Sequence, residues 1–185
     1  MINCIISWGG FSLIHESNEK SKVEIHEIST TFNEIYRKPY FPLELEEEIK
    51  KANALIIPYE TFRDMDKVVF PEGTRDFFDY LKQNSSEYGV VTDICISDGD
   101  FRQLELHADV INLPEIIVTS GIFPIVTGLI VNYVTEKVKS RRTQLNVKVG
   151  IIVESNGGSK KISYEGDAEQ FGPTLRSISE EIFKQ

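Results

Sequence analysis

Residues 116–135 read IIVTSGIFPIVTGLIVNYVT, 20 residues without a charge in a chain of 185. That is the length of a helical membrane span. The run is followed by Glu136, Lys137, Val138, Lys139, Ser140, Arg141 and Arg142, a basic flank that the positive-inside rule would place in the cytoplasm. Its interior is less apolar than its length suggests, because Thr119, Ser120, Gly121, Pro124, Thr127, Gly128 and Asn132 dilute it. Pro124 suits the first turn of a helix, where its missing N–H costs nothing. The run therefore divides into a short strand near Ile116–Thr119 and a helix from Phe123 to Ser140, apolar all round because protein covers it. A single-span membrane anchor over 116–135 is the competing reading. It would send 115 residues with 22 acidic side chains across a membrane. Met1 to Gly10 has no basic segment of the kind a secretory signal carries, so the cytoplasm is the expected compartment.

Upstream, Ala52-Asn53-Ala54-Leu55-Ile56-Ile57-Pro58 is a continuous apolar run closed by proline, the pattern of a strand buried on both faces. Residues 22–28 alternate, with Val23 and Ile25 opposite Glu24 and His26, which predicts a half-exposed strand. Ser29-Thr30-Thr31 supplies a helix N-cap, Pro39 and Pro42 stop that helix, and a second runs from Leu43 to Lys51 with Leu43, Leu45 and Ile49 inward. Thr74 can cap a helix over Arg75–Gln83, and Tyr88–Ile96 reads as the next strand. Phe101–Leu113 alternates up to Pro114. Downstream, Leu145–Glu154 and Lys160–Glu165 flank Ser155-Asn156-Gly157-Gly158-Ser159, a hairpin signal. A helix follows Gly166-Asp167, its start delayed by Gly172 and Pro173. The expected fold is α/β: a small Rossmann-like, mostly parallel sheet with flanking helices over 1–142, and a β-hairpin–helix appendage over 143–185 packed on it or on a partner.

The formal charge is −9. Residues 1–115 carry 11 basic and 22 acidic side chains, whereas 116–185 carry 9 and 7. An acidic body of this kind repels a phosphate backbone, so no nucleic-acid partner is expected. Cys4 and Cys95 are too few for a disulfide framework or a zinc site. Lys137, Lys139, Arg141, Arg142 and Lys148 form a basic cluster suited to an acidic partner or to the chain's own acidic half.

Three segments hold groups that could do chemistry or bind a ligand. On a strand, Glu105, His107 and Asp109 share one face, and two carboxylates beside an imidazole can hold a divalent metal or a general base. Asp93, Asp98 and Asp100 lie nearby in sequence. Alternation alone also explains this pattern as a solvated strand face. Trp8, Gly9 and Gly10 follow the first strand, where glycines let backbone N–H groups approach an anion, although no GxGxxG or Walker lysine accompanies them. Tyr59, Glu60, Arg63 and Asp64 leave the carboxyl end of the buried strand, where α/β proteins place binding residues. None of these patterns identifies a particular cofactor.

Lys161-Ile162-Ser163-Tyr164-Glu165-Gly166-Asp167-Ala168-Glu169, crossing from strand into helix, resembles small hairpin–helix modules of bacterial conflict and antiviral systems. The resemblance covers under a quarter of the chain. It implies an accessory or effector-associated role and carries no site residues. The expected function is a non-enzymatic binding or regulatory subunit, working through a protein partner or a homo-oligomer and a small-molecule pocket. A metal-assisted hydrolase using Glu105, His107 and Asp109 is the alternative.

Overall fold

The computed structural model describes residues 13–16, 21–60, 67–105, 110–140 and 145–183. In chain order the elements are β1 (Leu13–Glu16), β2 (Lys22–Ile28), α1 (Phe32–Ile35), α2 (Glu46–Ile49), β3 (Ala54–Ile57), β4 (Phe70–Pro71), α3 (Thr74–Ser85), β5 (Thr92–Ile94), β6 (Gln103–Leu104), β7 (Val110–Asn112), β8 (Glu115–Thr119), α4 (Phe123–Lys139), β9 (Asn146–Ser155), β10 (Gly158–Asp167) and α5 (Ala168–Phe183). The uncharged run resolves as its composition predicts, into β8 and α4 joined by a short 3-10 turn. Among the described residues no helix is long and apolar enough to cross a membrane.

The chain is α/β, built on a mixed sheet of order β1-β2-β10-β9-β8-β3-β5, with β7 also pairing with β9. β7 and β8 lie parallel to β9 along one of its edges, while β10 lies antiparallel along the other. β3 pairs parallel with β5 and antiparallel with β8. Parallel pairing thus occurs where a helix crosses over, α3 between β3 and β5 and α4 between β8 and β9, as the strand–helix–strand pattern requires. β7 also runs parallel to β9, and the remaining pairs of this sheet are antiparallel, so the sheet is not mostly parallel. The strands expected in a C-terminal appendage are interior: β9 and β10 each span ten residues and join β2 to β8. Their long alternating faces cover apolar surface that a small appendage could not bury by itself.

Two cores flank the sheet. On one face, Val23, Ile56, Ile116, Val118, Val147, Val149, Ile151, Val153, Ile162 and Tyr164 pack under α3, α4 and α5, whose buried contributions include Phe77, Leu81, Phe123, Val126, Ile130, Val134, Phe171 and Leu175. Each such side chain contributes about 1.5–3 kcal/mol on full burial. On the other face, Leu55, Ile57, Cys95, Ile117 and Ile152 pack against Phe32, Ile35, Phe41 and Ile49. Thr31 caps α1 by accepting from the Glu34 N–H. The segment 43–51 is shorter and less regular than its sequence predicts. It is a 3-10 turn followed by one helical turn, and Leu43 is 74% exposed rather than inward. In α5, Asp167 accepts from the Glu169 N–H, and this local cap starts the helix ahead of Pro173 instead of after it. Gly172 faces α4, where a Cβ would stand 3.0 Å from Val131, so its absence lets the two helices close up.

Candidate functional site

α1 and α2 cover the second sheet face only beside β3, β8 and part of β9. Across β2, β10 and the first half of β9 no described helix covers that face. Register there places Lys22, Glu165 and Lys148 in one row, with Asn112 beyond. The next row is Glu24, Ser163 and Gly150, and the next His26, Lys161 and Ile152. The middle row has a small floor, Ser163 and Gly150, between long side chains. A trough of about 1110 Å³ follows.

Ion pairs line this trough. Lys22 meets Glu24 at 2.7 Å and Lys148 meets Glu165 at 3.0 Å. Lys161 donates to Glu115 at 2.7 Å, and these side chains are 33% and 17% exposed. That contact spans β9 at Gly150, where a Cβ would stand 3.3 Å from Glu115 Oε2. A strand-interior glycine commonly marks such a close approach. At the far wall, Glu60 accepts from Lys38 Nζ at 2.8 Å and from the Tyr40 hydroxyl at 3.2 Å.

Tyr59 leaves β3, donates its hydroxyl to the Leu113 carbonyl at 3.0 Å, and lines the trough. Burial, and next the Glu115 carboxylate, push this hydroxyl up to about 12. Burial also raises Tyr40, reinforced by Glu60. Both phenols stay protonated near neutrality and act as donors. Cys95 is raised to about 12 by burial and then by Asp93, so its thiol is inert at neutral pH.

Of the residues expected to bind a ligand, Tyr59 and Glu60 line the trough. Trp8, Gly9, Gly10, Arg63 and Asp64 lie outside the described residues. Glu105 lines the trough and is exposed, whereas His107 and Asp109 lie outside the described residues. In the alternating segment 101–113 the described strands are β6, which pairs with β4, and β7, which pairs with β9. The nearby aspartates serve local structure. Asp93 accepts from the Ile94 N–H, Asp100 from the Ser97 hydroxyl, and Asp98 lies 3.9 Å from Arg75. Among the described residues no group of three His, Cys, Asp or Glu side chains could hold a metal ion. Two members of the basic cluster face the chain's own acids, Lys137 toward Asp76 at 3.7 Å and Lys148 toward Glu165.

Sequence reasoning missed Glu115, Lys161, Ser163 and Glu165 as neighbours. Their signal was the polar half of each alternating strand together with Gly150 inside an otherwise apolar run. Period two assigns these side chains to one face, but only strand order brings them together. Comparison with protein-family models, curated proteins and solved structures finds no match.

Proposed function

We propose that the protein is a non-enzymatic binding or regulatory subunit whose working surface is the trough over β2, β10, β9 and β7. The observation that carries this reading is the trough itself, about 1110 Å³ of concave surface on a sheet face that no described helix covers, framed by ion pairs and by tyrosines held as donors. Charges already satisfied in pairs, and phenols raised in pKa, suit recognition better than proton transfer, which needs a group poised near the working pH. The resemblance of residues 161–169 to hairpin–helix modules supports an accessory role in a bacterial multi-protein system of the conflict or antiviral kind, in the cytoplasm. The β3–α3–β5 crossover is the Rossmann-like part of the fold, and the loop at its carboxyl end brings Tyr59 and Glu60 to the trough.

A photo-crosslinking amino acid at Lys148, in the trough, tests this in cells of the source organism, with the same group at Lys82 on α3 as the control. A discrete adduct from position 148 that is absent from position 82 is expected. Equal labelling at both positions, or none at 148, refutes the reading.

A further inference from the structure

Three lysines, Lys22, Lys148 and Lys161, line the trough beside five glutamates, Glu24, Glu60, Glu105, Glu115 and Glu165. Among the described residues these lining side chains therefore carry a net charge of −2, drawn from both halves of a −9 chain.

The shape narrows the occupant. Lys22, Lys148 and Glu165 are 66%, 55% and 62% exposed, which makes the space an open trough and not a sealed cavity. It crosses the sheet from β2 to β7, three strand spacings or about 14 Å, the length of about four extended residues. The Lys148–Glu165 pair is exposed on both sides, and exposed ion pairs are weak, so it opens to an incoming charged segment at small cost.

We propose, resting on the trough being the working surface, that its occupant is an extended, basic segment of a partner protein. A lysine or arginine of that segment is directed to Glu105, a lining glutamate that no ion pair engages among the described residues. Its other residues lie over Ser163 and Gly150, where the small floor leaves room for a peptide backbone. Charge complementarity sets the sign of the partner, and the sheet's width sets the length of the segment.

Selection of phage-displayed random heptapeptides on the purified protein tests this, followed by titration of the selected synthetic peptides into wild type, Glu60→Gln, Glu105→Gln and a control, Glu87→Gln, outside the trough. The expected consensus carries two or more Lys or Arg. Its affinity falls about two- to fivefold in each trough variant, the effect of one partly exposed charge, stays unchanged in Glu87→Gln, and weakens further with salt. An acidic or apolar consensus whose binding changes in the trough variants overturns the basic segment while leaving the trough as the working surface. Failure to enrich any peptide, or a consensus indifferent to those variants, overturns both.

Discussion

Gly166 occupies a place in β10 where a side chain has no room. A Cβ built there lies 2.5 Å from Ser21 Cα and 2.5 Å from Ser21 Oγ. Because the nearest obstruction is backbone, no rotamer change relieves it, and the entry to β2 must move. The Ser21 hydroxyl sits 3.2 Å from the Tyr164 hydroxyl, which in turn bonds the Asp167 carbonyl at 2.6 Å. Displacing Ser21 therefore disturbs the junction of β10 with α5 as well. Overpacking typically costs about 1–3 kcal/mol, and contact with backbone puts Gly166→Ala at the upper end. A gain of about 0.4–1 kcal/mol from restricting the unfolded chain offsets part of it, leaving a net loss of about 2 kcal/mol. For a chain of this size each kcal/mol moves Tm by about 2–4 °C, so calorimetry should show a fall of about 4–8 °C. Gly128→Ala is the matched control: on the exposed side of α4, with nothing within 4 Å of a Cβ, it should raise Tm by about 2–4 °C through helix propensity and chain entropy. If Gly166→Ala melts within about 1 °C of wild type, less than the shift of a single kcal/mol, the close approach of Ser21 to β10 is wrong.

Gly150→Ala should be mild, costing about 1 kcal/mol or less in urea unfolding, because its 3.3 Å neighbour is the end of the Glu115 side chain, which can yield. Thr127→Val should stabilise by about 1 kcal/mol, since the buried Thr127 hydroxyl makes no hydrogen bond and its removal relieves an unmet polar group; a loss of stability would contradict that. The thermal midpoint should hold from pH 7 to 8 and fall between about pH 9 and 12. Cys95, Tyr59 and Tyr133 have folded values raised to about 12, so the unfolded chain releases those protons first, the thiol's before the phenols', and their stabilisation is lost as pH rises through that window. Tyr59→Phe should flatten this fall, as melts across pH would show. Mn²⁺ or Mg²⁺ should leave Tm unchanged; a shift abolished by His107→Ala would favour the hydrolase alternative through Glu105, His107 and Asp109.

Local features were legible in the sequence wherever burial imposes a period. The strand over 22–28, the fully buried Ala54–Ile57 and the division of 116–135 into β8 and α4 all follow from apolar spacing and from Pro124. The hairpin too was written in its turn residues, though its second strand runs longer than the pattern suggested. What alternation does not encode is which strands become neighbours. Val147, Val149, Ile151 and Val153 announce a buried face without saying that β9 would hold β10 on one edge and both β7 and β8 on the other. The candidate site inherits that limit. Tyr59 and Glu60 were reachable because the end of a buried strand is a usual place for ligands, but the Lys161–Glu115 contact joins residues 46 apart and depends on β9 lying between them. Leu43 misled because a one-turn helix has too little length to establish an inner face.

The central place of the hairpin also sets the order of events when the chain folds. Ile25 of β2 pairs with Ile162 of β10, and β8 needs β9 before its second edge is satisfied. During synthesis β2 and β8 must therefore wait, with exposed edges and apolar side chains, until residues 146–167 leave the ribosome. Closing such distant contacts is intrinsically slow, and waiting edges invite pairing with other chains. Premature termination before β9 would accordingly yield an aggregating fragment, because the missing piece is the keystone and not a wing. Pulse-labelled hydrogen exchange should show β2 protected only in step with β10.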